Sequence, residues 1–401
     1  MMPLDGVRVV DLTQYTAGPF CTKILADYGA DVIKIEPQQG DPARRLGPFY
    51  KDTPGLEHSG LFLFLNTNKR SVTLNLEAER GKQILRALVL GADILVENFA
   101  PDVMRSLGLG YEELAVLNPR LVMTSISNFG QTGPYMDWQA TDLTLFAMGG
   151  TRSSAPEREP VKLPGNVASY HVGYMASLAT SLALIGAEFR GEGEHIDVSG
   201  FEVLATSIER LGILMGYEFT KNKVTRTPGV SAFRLGSGVF PCADGYYMIS
   251  STGADGFPAL ARAVGARHLL EQPEWATPEG RARPEAVEEF DAILAPWIME
   301  RSKAEIHAIF ERHSVLGAPV NSIDGVVQDQ HFRARGYFQR IDHPVVGQQT
   351  YPGYNFIMHT GEPMPARRSA PLLGEHTAEI LCSELGYSSE DLRVLRAHGV
   401  V

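Results

Sequence analysis

Along roughly the first third of the chain, apolar and polar positions fall into a repeating order. A short apolar run is followed by a turn and then by apolar positions at helical spacing. The runs Val7–Leu12, Asp31–Glu36, Ser71–Leu76, Asp93–Asn98 and Leu121–Ser127 predict strands. Between them, Phe20–Tyr28, Glu77–Leu90, Pro101–Leu107 and Tyr111–Leu117 predict helices, the first stopped by Gly29. Strands alternating with helices predict an α/β fold with a parallel, doubly wound, Rossmann-like sheet. Ligand loops in such sheets lie beyond the carboxyl ends of the strands. Here those ends are Thr13–Gly18, Glu36–Asp41, Glu97–Pro101 and Asn128–Pro134.

The alternation breaks near Gly130, and Leu163–Gly186 reads LPGNVASYHVGYMASLATSLALIG. Val172, Met175, Ala176, Ala179 and Ala183 recur at helical spacing among small residues, which predicts a long buried helix. Ser169 is placed to act as its N-cap. The start of a buried helix gathers backbone amides toward an anion, so this is a candidate reaction site. Its residue is a hydroxyl, not a carboxylate.

Phe201–Phe219 predicts a second long helix. From Lys221 to Gly238 the composition shifts to Lys, Arg, Thr, Pro and Gly, which reads as a linker with a mobile loop at Arg234–Gly238. Val239–Ser251, turning at Asp244-Gly245, predicts a hairpin that opens a smaller α+β domain. Helices follow at Phe257–Val264, Ala286–Met299 and Lys303–His313, with a strand at Val320–Ile323. From about Gln328 the chain reads as proline-rich loop ending in two short helices. The expected division is 1–200 for the N-terminal part of the large domain, 201–238 for a linker helix and loop, 239–325 for the small domain, and 326–401 for a return linker and the C-terminal part of the large domain.

With 401 residues, the chain is long enough for two domains. A formal charge of −11 argues against a nucleic-acid partner. Cys21, Cys242 and Cys382 lie far apart, so neither a disulfide framework nor a metal site is indicated. No signal peptide is evident, and no unbroken apolar run spans a membrane. A cytoplasmic protein with no membrane partner is expected.

The first strand–turn–helix lacks GxGxxG, so a dinucleotide with Glu36 on its ribose is not supported. Asn68-Lys69-Arg70-Ser71 can hold a phosphate or form a solvated turn. Arg105 and the pair Arg44-Arg45 read first as surface charges. Glu97-Asn98-Phe99 ends a strand at the ligand edge and is a better pocket candidate. Asp142 reads either as a functional carboxylate or as a helix cap. His171 lies two residues past Ser169, and on a helix such positions do not face each other. There is no GxSxG elbow, so a local Ser–His nucleophile is not supported.

These residues also carry a resemblance. The segments Leu4–Leu12, Ala17-Gly18-Pro19 and Gly29–Glu36 resemble the opening of the family III CoA-transferases. The likeness continues through Asn68–Ser71, Val96–Phe99, Gly130–Pro134, Gly193 with Asp197-Val198-Ser199, and Leu373–His376. It runs in order over essentially the whole chain. The family includes formyl-CoA transferase, carnitine CoA-transferase and 2-methylacyl-CoA racemase.

The resemblance implies an interlocked dimer whose large domain is made from both chain ends. It implies coenzyme A or its acyl thioester as substrate, with no permanently bound cofactor. By position, Tyr15, Ala17, Val72, Asn98, Phe99 and Arg105 match its contacts with CoA. Gly236 and Gly238 match a glycine-rich flap. In the transferases an aspartate at the start of the small-residue helix attacks the acyl-CoA, forming an anhydride and then an enzyme thioester. The second acid then attacks. Gly173 fixes the register and puts Ser169 in that place, with Asp142 as a supporting carboxylate. A serine makes only a poorly activated oxyester, and racemisation needs the acid too.

The expected function is therefore that of a subunit without its own nucleophile. A homologous catalytic subunit in a hetero-oligomer would carry the aspartate. The arrangement resembles the two-subunit transferases that move CoA from succinyl-CoA to benzylsuccinate in anaerobic aromatic degradation. The alternatives are a homodimeric transferase with an engineered Asp-to-Ser change, and a non-catalytic CoA-thioester-binding protein.

Overall fold

The computed structural model describes residues 2–149, 165–206, 215–221, 235–251, 255–358 and 364–401. The chain forms two compact units. The larger comprises 1–153, 159–224 and 337–401, and the smaller comprises 154–158 and 225–336.

The larger unit is built on six parallel strands: β1 (Arg8–Asp11), β2 (Asp31–Glu36), β3 (Arg70–Thr73), β4 (Ile94–Glu97), β5 (Val122–Ser127) and β6 (His195–Ser199). Their order in the sheet is β3-β2-β1-β4-β5-β6. The doubly wound parallel sheet expected from the alternation is present. The order reverses between β1 and β4, and the crevice beyond that reversal is the usual ligand position.

Both faces are covered, as an all-parallel sheet requires. On one side lie α1 (Ala17–Asp27) and the long helix, with a helical turn, α2 (Gly60–Leu65), beside α1. The other side carries α3 (Glu79–Leu90), the single turn α4 (Val103–Ser106) and α5 (Tyr111–Leu117). After α6 (Asp142–Met148), the small-residue stretch forms α7 (Val167–Arg190), and α8 (Gly200–Ala205) follows β6. By length and composition α7 could cross a membrane. Instead its Val172, Ala176, Ala183 and Ala187 pack into the core with α1 and the sheet. A Cβ at Gly173 would lie 2.6 Å from the Ala17 carbonyl, so glycine is what permits the α1–α7 approach.

The expected Phe201–Phe219 helix is described only at α8 and at residues 215–220, here α9. In the smaller unit, β7 (Gly238–Cys242) and β8 (Gly245–Ser250) form the expected hairpin, and β9 (Leu316–Pro319) joins it. The strand expected at Val320–Ile323 lies earlier, because Gly317 and Ala318 supply backbone for the sheet despite their low strand propensity. Helices α10 (Gly256–Ala263), α11 (Pro273–Ala276), α12 (Pro278–Arg281), α13 (Pro284–Met299) and α14 (Lys303–His313) follow. Phe257, Trp275, Phe290 and Phe310 fill their shared core. Two short helices, α15 (Ile323–Gln328) and α16 (Gln330–Ala334), come next.

The return segment holds an antiparallel pair the pattern did not predict, β10 (Gln339–His343) with β11 (Gly347–Tyr351). Its strands mix polar and apolar positions, so no clean period of two marks them. A π-helical turn at Glu379–Glu384 and α17 (Ser389–Ala397) end the chain as expected.

Candidate functional site

The β1/β4 crevice is fixed by clamps from side chain to backbone. Asn98 accepts from the Gln14 amide at 2.7 Å and donates to the Gln14 carbonyl at 2.9 Å, locking the two strand-end loops together. Glu97 accepts from the Phe99 amide at 2.7 Å. Phe99 is thereby held between two cavities. One, of about 300 Å³, is lined by Ala17, Asn98, Phe99, Trp138, Ser169 and Val172 among others. The other, of about 520 Å³, is lined by Gln14, Glu36, Asn75, Glu77, Phe99 and Val103 among others.

Ser169 is not the N-cap. Asn166 holds that place, and Ser169 is the third helical residue of α7. Its amide and its hydroxyl both donate to the same carboxylate oxygen of Asp142, at 2.9 and 3.1 Å. Asp142 is not a cap of its own helix either. Thr141 caps α6 in a reciprocal box with Thr144, leaving Asp142 in the first turn to reach across to α7. A carboxylate at a helix start accepts orphan amides and opposes the helix dipole. The anion position at the mouth of α7 is therefore filled by Asp142, and Ser169 presents an alcohol to the cavity.

The structure thus brings Ala17, Asn98, Phe99 and Ser169 to one cavity. Tyr15 is exposed, with a positive φ of 65° and its amide held by Asp41 at 3.1 Å. Arg105 is an exposed side chain paired with Asp102, next to a third, small cavity. Val72 is different: its side chain is 0% exposed within the sheet core, so it cannot itself touch a ligand.

Gly236 and Gly238 belong to the smaller unit. There Leu235 is buried, and Ser237 bonds Ser251 at 2.8 Å. The described part of the expected mobile loop is therefore packed onto a core, while Arg234 lies outside the described residues.

The Asn68–Ser71 cluster is neither a phosphate cradle nor a solvated turn. Lys69 is buried on Asp11 at 3.0 Å, and Arg70 pairs with Asp31, Glu379 and Glu384. Burial pushes the Lys69 ammonium down to about 8. Arg44, read as a surface charge, is wholly buried, with Glu36 at 2.7 Å and Glu57 at 2.6 Å. Only Arg45 of that pair sits at the surface, on the Gln39 carbonyl. Glu36 is consumed by Arg44 and by the Ser71 hydroxyl. Among the described residues there is no cluster of three or more metal-binding side chains.

Sequence reasoning did not single out Trp138, which stacks on Tyr135 at 4.1 Å and walls the first cavity. It sits in an aperiodic loop, where no hydrophobic period can announce it. Nor did it anticipate the state of Glu97. That carboxyl is buried, and burial pushes it up to about 7, against the hydrogen bond from the Phe99 amide.

Against known proteins, residues 4–377 match the model of CoA-transferase family III. The succinyl-CoA:D-citramalate CoA-transferase of Chloroflexus aurantiacus is 32% identical, covering 100% of this chain and 98% of that protein. The subunit BbsE of succinyl-CoA:(R)-benzylsuccinate CoA-transferase from Thauera aromatica is 34% identical, with 98% and 97% covered. Among solved structures, a CAIB/BAIF family protein from Brucella suis superposes with a TM-score of 0.83 at 29% identity, covering 95% of this chain and 99% of that one. A family match over nearly the whole length, on the doubly wound sheet with its crevice at β1/β4, makes this chain a member of CoA-transferase family III.

Proposed function

We propose that this chain is the subunit without a nucleophile in a two-subunit cytoplasmic CoA-transferase. The assembly would move CoA between a CoA thioester, succinyl-CoA in the first instance, and a carboxylic acid such as benzylsuccinate. One observation carries the reading. At the start of α7, on the cavity wall, stands the Ser169 hydroxyl, already donating to Asp142. An alcohol without a strong base attacks a thioester poorly, and the ester it forms does not exchange with thiolate as an anhydride does. Asp142 is a weak base for a hydroxyl and does not line the cavity.

The homologous partner would supply the aspartate and interlock with this chain. Two similar relatives are named for succinyl-CoA, and BbsE is by its name a subunit. CoA would lie across the β1/β4 crevice, past Ala17, Asn98 and Phe99, with Tyr15 and Arg105 within reach of its outer end. Gly236 and Gly238 would serve as the flap, and Asp142 as the support for position 169.

The deciding experiment is to purify the chain alone and assay CoA transfer, then repeat it after co-expression with neighbouring homologues. The expected result is no transfer alone and transfer with the partner. Transfer by the lone wild-type chain would overturn the reading. Transfer gained by lone Ser169→Asp, with no partner, would favour a homodimeric enzyme that has lost its aspartate.

A further inference from the structure

We infer that Glu97 is a positioning residue for the thioester site, acting on Phe99 through the bond it accepts from that residue's amide. The inference rests on the reading of the β1/β4 crevice as the CoA site.

The register sets Glu97 among polar neighbours. Glu97 stands opposite Ser125, and Ser125 opposite Asp197, so the alternation of side chains puts Glu97, Ser125, His195 and Asp197 on one face of the sheet. Behind them on the same face the residues are apolar, with Leu95 and Met123 in the core. Glu97 ends β4 where the ligand loops leave, while His195, opposite Met123, is the first residue of β6. Ser125 Oγ lies 2.8 Å from His195 Nε2, and the His195 ring stacks on Tyr111 at 5.4 Å. A cavity of about 40 Å³ adjoins them, lined also by Asp102, Arg105 and Glu112. The groups that face Glu97 are thus Ser125 of β5, His195 and Asp197 of β6, Asp102 just before α4, Arg105 of α4, and Tyr111 and Glu112 of α5.

Ionisation of Glu97 gives the carboxyl proton to solvent and changes no other bond. The outcome differs at Phe99, because the bond from its amide is stronger to a carboxylate than to a carboxyl. Phe99 lines both large cavities, so tightening that bond fixes the wall that a ligand crossing from one to the other must touch. Burial raises Glu97 to about 7, so the change falls in the neutral range. Burial lowers His195 as well, with Asp197 and Glu112 opposing it.

The test is calorimetric binding of CoA to the full chain at about pH 6 and about pH 8, for wild type, Glu97→Gln and Glu97→Ala. Glutamine keeps an acceptor for the Phe99 amide but cannot ionise. The ratio of wild-type to Glu97→Gln affinity cancels the titration of CoA's own phosphate and of every other group. That ratio is expected to rise about fivefold between the two pH values, the difference between a neutral and a charge-assisted bond. Glu97→Ala, lacking the acceptor, should bind more weakly than Glu97→Gln at both. A ratio that stays constant with pH overturns the inference alone. A wild-type chain that binds no CoA at either pH overturns the reading of the crevice, and the inference with it.

Discussion

Two residues in the larger unit, Lys69 and Glu97, illustrate opposite ways of keeping a charge inside. Lys69 is fully enclosed with Asp11, Thr22, Asn66 and the Pro19 carbonyl around its ammonium. Removing it leaves Asp11 buried without its main counter-charge. Lys69→Met is therefore expected to cost about 3–5 kcal/mol, read as a lower urea midpoint. Among the described residues Glu97 has no cation at hydrogen-bond distance, so it keeps its proton instead, up to about pH 7 against an ordinary value of 4.5. The folded state then binds more protons than the unfolded one between those values. Glu97's contribution to stability falls as pH rises through that window, by an amount on the order of 3 kcal/mol. Glu97→Gln removes that slope, so thermal unfolding from about pH 5 to about pH 8 should be flatter in the variant than in the wild type. Equal slopes would show that the carboxyl titrates normally.

At the scale of elements, close approaches were half legible. The small residues of Leu163–Gly186 announced tight packing, and Gly173 is where α7 meets α1, with Phe20 as well as the Ala17 carbonyl in the way of any side chain. Gly173→Val should destabilise the larger unit by about 1–3 kcal/mol or more, measured by denaturant unfolding. The smaller unit has a counterpart. Gly236 has φ +71°, and a Cβ there would lie 2.5 Å from Leu260. Gly236→Ala is strained both by conformation and by overpacking, and a fall in thermal midpoint is expected. A wild-type-like midpoint would mean the segment is looser than its packing indicates. The linker composition suggested mobility at this glycine, yet composition cannot see that Leu260 and Phe290 lie against it.

For the whole molecule, α7 carries information its sequence period concealed. One face packs into the core, while Leu178, Leu182, Ile185 and Phe189, three or four residues apart, are exposed in the single chain, Leu182 at 60% and Phe189 at 87%. A contiguous apolar stripe of this kind normally lies against another chain. If the proposed hetero-oligomer forms, Leu182→Glu with Phe189→Glu should abolish co-purification of the homologous partner. The circular dichroism of the lone chain should not change. Retained association would place the contact elsewhere.

What the sequence determined by itself was the alternation, the strand ends that form the ligand edge, and the alcohol at position 169. All three depend on local period or on residue identity, which folding does not alter. The tertiary structure alone decided that the charges of Lys69, Arg70 and Arg44 hold the fold. They read as anion holders or surface cations until the return segment and neighbouring strands brought carboxylates to them. It also decided that Asp142, 27 residues before Ser169, accepts both of that residue's protons. Such pairings join positions that no period relates, and only the packing of α6 on α7 sets their distance.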